Sequence, residues 1–235
     1  MSWTRAWSDA VVSFFFPVYC VGCGKRLDGS THCLVCSQCF DELPKYQGME
    51  PYYKALDRLS GFLPFTEFQS DLIFTNPGLV RKLLHLFKYQ GYPMLGYHLT
   101  SQFVAHHKSQ GHFSDVSMIV PVPLLKSRLR KRGYNQSLYI AKAFAEVYQL
   151  PIEEGVLIRN KMGQGTQTKR SKEERWVAMA DAFSLASGKD VSGKRILLVD
   201  DLLTTGATLI QAGRVLIDHG AESVSFYTLA LDTLL

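Results

Sequence analysis

The 235 residues and 26.5 kDa of this chain allow one full-sized hydrophobic core with a small appendage and exclude a second large domain. With 46% apolar and 20% charged residues, the composition excludes a disordered chain. A net charge of +5 and a pI near 8.9 permit anionic partners, phosphorylated metabolites or nucleic acid, without choosing between them.

No uncharged stretch reaches the roughly 20 apolar residues of a membrane-spanning helix, so no membrane insertion is expected. The segment Ala10 to Tyr19, with Phe14, Phe15 and Phe16 after a single Arg5, has the outline of a signal peptide, but Pro17-Val18-Tyr19 lacks the small residues of a cleavage site. It reads instead as an apolar N-terminal helix bearing Trp3, Trp7, Val11 and Phe14, on a cytoplasmic protein.

All five cysteines lie between Cys20 and Cys39, which predicts a small subdomain over residues 1–50 and a main domain over 51–235. Cys20-Val-Gly-Cys23 and Cys36-Ser-Gln-Cys39 are two C-x-x-C pairs separated by twelve residues, the spacing of a structural zinc site with four thiolates. Cys33-Leu-Val-Cys36 is a competing pair, and His32 is a reserve ligand. A cytosolic setting argues against disulfides, and two pairs at this spacing argue against a redox C-x-x-C. Four protein ligands leave no open position for catalysis.

Glu50-Pro51-Tyr52-Tyr53 leads into alternating aromatic sequence around Leu59 to Phe68, expected to form a hairpin or short strands. Asn76-Pro77 predicts a helix start, with Asn as N-cap, Pro at the first helical position, and Val80, Leu83, Leu84 and Phe87 at helical spacing. Gly91-Tyr92-Pro93 ends it, and a second helix is expected from Met94 to about His106. Met118 to Val122 reads as a buried strand, followed by a basic loop in which five of the seven residues from Lys126 to Arg132 are cationic. Ser137 to Tyr148 is helical by spacing. After a polar stretch, Arg195 to Val199 is a second buried strand, Leu209 to Asp218 a helix closed by His219-Gly220, and Val224 to Leu231 a third strand. Strands alternating with helices predict an α/β fold, a mainly parallel sheet flanked by helices with its ligand site at the strands' carboxyl ends.

The sharpest chemical signal follows Val199. Asp200 and Asp201 come directly after the buried strand, and Thr204-Thr205-Gly206-Ala207-Thr208 opens a helix. Backbone N–H groups at a helix start bind a dianion, and Gly206 lets the backbone approach it closely. The acid pair would repel a phosphate, so it should accept hydrogen bonds from sugar hydroxyls or hold a hydrated Mg²⁺. A sugar 5-phosphate fits both halves. Simple helix capping would account for one of these residues but does not need all of them. The Gly-Lys-Ser/Thr ending of a P-loop and the three spaced glycines of a dinucleotide fingerprint are both absent.

The run Ile196 to Thr208 resembles the phosphoribosyl-pyrophosphate (PRPP) motif of type I phosphoribosyltransferases. That resemblance implies a type I phosphoribosyltransferase-like fold, with Asp200 and Asp201 on the ribose and Thr204, Thr205, Gly206, Ala207 and Thr208 on the 5-phosphate. A transferase using PRPP with Mg²⁺ must also hold the leaving pyrophosphate. Arg128, Arg132, Gly133, Asn135 and Gln136 suit that role through forked guanidinium groups and neutral donors at a turn.

Val120-Pro-Val-Pro-Leu124, Arg132-Gly-Tyr-Asn-Gln136, Lys88-Tyr89 with Gly91, and Gln167 with Arg175 narrow the resemblance to the ComF family of competence-associated proteins. It implies a lid bearing Gln167 and Arg175 that closes over the ligand, and a possible site role for Lys88 beyond complementing its helix dipole. It also favours Cys36 and Cys39 over Cys33, because Phe40-Asp-Glu-Leu-Pro44 resembles the helix after the second knuckle. Ala178 stands where the family pattern has Asn, and Arg170 replaces a usually apolar residue. The resemblance implies displacement of pyrophosphate from PRPP by an unknown acceptor. Its alternative is a non-catalytic adaptor in DNA uptake that binds single-stranded DNA and a helicase-like competence partner.

Overall fold

The computed structural model describes residues 17–27, 34–47, 49–160 and 182–233. The apolar N-terminal segment, His32, Cys33 and the expected lid with Gln167, Arg170, Arg175 and Ala178 therefore lie outside the described residues. In chain order the helices are α1 (Ser37–Asp41), α2 (Met49–Leu59), α3 (Leu79–Tyr89), α4 (Met94–Ser109), α5 (Lys126–Arg132), α6 (Gln136–Tyr148) and α7 (Ala207–Asp218). The strands are β1 (Phe68–Phe74), β2 (Met118–Pro121), β3 (Leu157–Arg159), β4 (Phe183–Leu185), β5 (Arg195–Leu203) and β6 (Ser223–Asp232).

Four strands form one parallel sheet in the order β1-β6-β5-β2, and β3 and β4 form a separate antiparallel pair. β5 and β6 are buried over most of their length, as expected of central parallel strands covered on both faces. Alternation assigns their side chains. Leu197, Val199 and Tyr227 pack with Phe87, Leu99 and Phe144 under α3, α4 and α6. Ile196, Leu198 and Phe226 pack with Leu59, Leu209 and Leu216 under α2 and α7. Each fully buried branched side chain in these layers contributes roughly 1.5–3 kcal/mol.

Both open edges are covered. Lys45 bridges Leu72 on the outside of β1, with Tyr46 N–H donating to the Asp71 carbonyl at 2.6 Å and Ile73 N–H to that of Pro44 at 2.7 Å. Ile152 covers β2, through Ile119 N–H to the Pro151 carbonyl and Glu153 N–H to the Ile119 carbonyl, both at 2.9 Å. The Cys-rich segment shares a hydrophobic cluster with α3 and α4, to which it contributes Leu27, Val35 and Leu43.

Several expectations are corrected. The stretch Leu59 to Phe68 forms no hairpin: Leu59 ends helix α2, on whose inner face it lies fully buried with Ala55, residues 60–67 are turn and coil, and Phe68 opens β1. β1 runs from Phe68 into the main sheet, with Ser70 and Asp71 buried in its interior, which hid it from an apolar-run search. α3 begins at Leu79 behind an extended Gly78 and after a cis Asn76-Pro77 bond, so Asn76 is not its N-cap. The basic segment Lys126 to Arg132 is helical, with no buried residue and hence no apolar stripe to betray its period. β5 continues through Asp200 and Asp201 to Leu203, so the acid pair lies in the strand and not behind it.

Candidate functional site

β5 carries both carboxylates to the carboxyl edge of the sheet, between β6 and β2. Asp200 is partly buried. Its Oδ1 accepts from Ser137 Oγ at 3.0 Å, in the first turn of α6, and from the Asp201 N–H at 2.9 Å. Burial, then the neighbouring Asp201 charge, pushes its carboxyl up to about 6. Asp201 is buried and pairs through Oδ1 with Lys88 Nζ at 2.9 Å, from the last turn of α3. Among the described residues no protein donor reaches Oδ2 of either carboxylate.

The chain then turns through Leu203 and Thr204 into α7. Gly206 caps that helix in the left-handed conformation, φ 80°, and makes no side-chain cap; the first turn contains no acid. The first N–H groups of a helix have no partner within it, so this end favours an anion. Thr205 is exposed and its Oγ1 accepts from the Ala207 N–H at 3.4 Å, while Thr204, Ala207 and Thr208 are partly exposed around the same turn. A β-carbon on Gly206 would meet the Arg58 carbonyl oxygen at 3.0 Å, so α2 backs the loop closely. Arg58 also ties it down, since Nη1 donates to the Thr204 carbonyl at 2.7 Å and to that of Asp232.

The second wall comes from α5 and the turn after it. Gly133 ends α5 in the left-handed conformation. Arg132 Nη1 donates to Gln136 Oε1 at 2.9 Å, its Nη2 to Tyr89 Oη at 3.3 Å, and the guanidinium lies 5.0 Å over the Tyr89 ring. Gln136 is buried and its Nε2 reaches the Phe87 carbonyl at 3.5 Å, so its amide is engaged within the protein. Asn135 Nδ2 donates to the Val122 carbonyl at 3.0 Å, fixing the β2 end to α6, while its buried Oδ1 is without a partner. Arg128 is exposed on α5.

Arg159, at the end of β3, was not singled out by sequence. Its guanidinium lies 5.1 Å over the Phe183 ring. Burial holds it below its usual value, Asp200 acts against that shift and Arg128 adds to it. Among the described residues no carboxylate lies within ion-pair distance of it. The available signal was a lone cation closing an apolar pair, Leu157-Ile158, ahead of the polar stretch.

A second cluster stands on the Cys-rich segment. The Sγ atoms of Cys20, Cys23, Cys36 and Cys39 all lie within 4.8 Å of one another, which is a four-thiolate cage that could hold a metal ion. Burial, reinforced by neighbouring thiols, pushes Cys39 up to about 12. Cys20 is also raised by burial, but hydrogen bonds from Cys23, Cys36 and Gly22 outweigh it and leave the thiol at about 6.

The phosphoribosyl transferase domain family matches residues 137–233, from the α6 residue that holds Asp200 to the end of β6. Competence protein ComFC of Bacillus subtilis is 32% identical over 165 residues, covering 68% of this chain and 63% of that protein. Competence protein F of Haemophilus influenzae is 28% identical over 216 residues, covering 92% of this chain and 85% of its own. The chain matches the ComF competence proteins at the level of the family. DNA utilization protein YhgH of Escherichia coli is 30% identical over 111 residues, 47% of this ComF-like chain and 48% of its own length. With its parallel sheet flanked by helices, the ComF-like chain has the type I phosphoribosyltransferase-like fold. No helix among the described residues is long and apolar enough to cross a membrane.

Proposed function

We propose that this protein binds PRPP or another ribose 5-phosphate at the β5–α7 turn, with Asp200 and Asp201 on the ribose hydroxyls and Thr204 to Thr208 on the 5-phosphate. The observation that carries the reading is the acid-free start of α7, where the N-cap Gly206 has no side chain to cap it, directly beyond two carboxylates whose second oxygens meet no protein donor among the described residues. The two carboxylates also fit a hydrated Mg²⁺, an oxygen-seeking ion, which would neutralise charge on the pyrophosphate. Arg128 and Arg132, with Gly133, Asn135 and Gln136 shaping their turn, face the leaving pyrophosphate, and Arg159 joins them as a desolvated cation. Gln167 and Arg175 supply a lid.

As a phosphoribosyltransferase the protein would work by position and charge. The ribose C1–oxygen bond to pyrophosphate breaks as an acceptor bonds to C1, and the pyrophosphate departs with its electron pair toward the guanidinium groups. Lys88 pairs with Asp201 and orients it in the absence of ligand. The Cys20, Cys23, Cys36 and Cys39 cage holds structural zinc and fixes a subdomain over residues 1–50, with the transferase-like domain over 51–235. The protein is cytoplasmic.

The names of the relatives, two competence proteins and a DNA utilization protein, support a place in DNA uptake with single-stranded DNA and a helicase-like partner. On that reading the site could serve a non-catalytic adaptor. Titration calorimetry with PRPP and Mg²⁺ decides the binding claim: Asp201→Asn should abolish the heat seen with the unmodified chain, and equal affinity in both would overturn it. Pyrophosphate release in the presence of candidate acceptors separates enzyme from adaptor.

A further inference from the structure

Two carboxylates directly before a phosphate-binding turn need a cation beside them, because a 5-phosphate brings roughly 1.5 to 2 further negative charges to the same place at neutral pH. A divalent metal is one such cation, and a charged side chain is another. Lys88 Nζ already lies 2.9 Å from Asp201 Oδ1, with 19% of the lysine side chain and 11% of the aspartate exposed. Its charge reaches the second acid as well: burial and the Asp201 charge raise the Asp200 carboxyl, and Lys88 opposes both. Among the described residues no other Lys or Arg comes within ion-pair distance of either carboxylate.

A lysine in the last turn of a helix satisfies the dipole while fully solvated, so its place on α3 does not by itself explain why Lys88 is tucked in. Arg81 and Lys82, about two turns earlier on the same helix, are exposed. What fixes Lys88 is the packing of the residue before it. The Phe87 carbonyl accepts from Tyr134 Oη and, at 3.5 Å, from Gln136 Nε2, which come from the start of α6 and the turn before it. The Phe87 ring is fully buried against Gly96 of α4, where a β-carbon would stand 2.2 Å from its Cζ. These contacts pin the end of α3, and with it the root of the Lys88 side chain, beside Asp201.

An ammonium and a metal ion compete for the same carboxylate. Mg²⁺ binds through one or two carboxylates, keeps several waters and takes its remaining oxygens from ligand phosphates. An ammonium is a compact single charge that donates directly to the carboxylate oxygen. With Asp201 Oδ1 engaged by Lys88, a ligand that lacks pyrophosphate gives a metal few oxygens with which to displace the lysine. We propose that Lys88 is a built-in cation that stands in for a divalent metal at the acid pair, so that a sugar 5-phosphate carrying no pyrophosphate binds here without metal. This role rests on the ribose 5-phosphate reading of the turn; Mg²⁺ then enters only with ligands that bring a pyrophosphate of their own. Lys88 acts through Asp201 and is a positioning residue.

The test is a calorimetric titration of the full chain with ribose 5-phosphate, in buffer freed of divalent ions and again with excess Mg²⁺. No chelator is added, so that the four-thiol cage is left untouched. The two affinities of the unmodified chain should agree within about twofold. In Lys88→Met, which keeps the stem and removes the charge, metal-free affinity should fall by at least about tenfold, and Mg²⁺ should restore most of it. A purely structural defect would lower affinity equally in both buffers. If the unmodified chain binds ribose 5-phosphate in neither buffer, the reading of the turn falls and the role of Lys88 with it. Binding only in the presence of Mg²⁺ leaves that reading intact and overturns the role of Lys88. So does a Lys88→Met variant that binds without metal as tightly as its parent, or one whose lost affinity Mg²⁺ fails to restore.

Discussion

An ionised Asp200 is held against its own preference, because burial and Asp201 raise its carboxyl to about 6 from an ordinary 3.8. A raised carboxyl favours folding while protonated, so that contribution is intact below pH 3.8 and lost as pH rises through about 6. Stability should therefore fall across that window by roughly 1–2 kcal/mol, discounted because Asp200 is only partly buried. Asp200→Asn should remove this pH dependence and raise the melting temperature at pH 7, while weakening ribose 5-phosphate binding. A variant no more stable than its parent at pH 7 would show that the site stores no such strain. Gly206 allows a second test. Its left-handed backbone and the Arg58 carbonyl leave no room for a β-carbon, so Gly206→Ala should cost about 1–2 kcal/mol in chemical denaturation. The Thr-rich loop and acid pair were legible in sequence because one contiguous run, Val199 to Thr208, carries them all. Arg58, which reaches the loop from 146 residues away, was not, and neither was the engagement of the Gln136 amide by Arg132 and Phe87.

Among the elements, those with an unbroken apolar period were readable and those that trade burial for polarity were not. β5, β6, α6 and α7 carry near-continuous or cleanly spaced apolar residues. β1 hides Ser70 and Asp71 among its apolar residues, and α5 buries nothing at all. α2 went unread because Pro51, Tyr52 and Tyr53 crowd its first turn, although Pro is tolerated there. The Arg58 guanidinium ties that helix to the β5–α7 turn, so Arg58→Ala should loosen the turn and weaken ribose 5-phosphate binding about tenfold. The melting temperature should fall only modestly, and calorimetry beside thermal unfolding reads both. A metal held by the four thiols would add stability to the Cys-rich segment. Elemental analysis should find one zinc per chain, retained in Cys33→Ser and lost in Cys39→Ser. Loss in the first variant would move the ligand set to the alternative pair.

At the scale of the whole molecule, one buried polar network ties a helical layer to two strands of the sheet. Asp71 of β1 accepts from Tyr227 Oη of β6 through Oδ2, and its Oδ1 lies 2.7 Å from His107 Nε2 of α4. All three side chains are buried, and burial, then the Asp71 charge, drives the Tyr227 hydroxyl well above its usual value. None of this was legible in sequence, because residues 71, 107 and 227 come from β1, α4 and β6 and meet only when β6 pairs with β1 beneath α4. Asp71→Ala would leave the tyrosine hydroxyl and the imidazole without their partner, a loss of roughly 3 kcal/mol or more. Asp71→Asn, which keeps an acceptor for Tyr227, should recover part of that loss. The network faces α4, and Asp201 meets Lys88 of α3, so ribose 5-phosphate affinity measured on the folded fraction should barely change in either variant. Urea unfolding should show a lower midpoint at an unchanged slope. An altered slope, or lost affinity at full folding, would mean that the core network and the ligand site act as one unit.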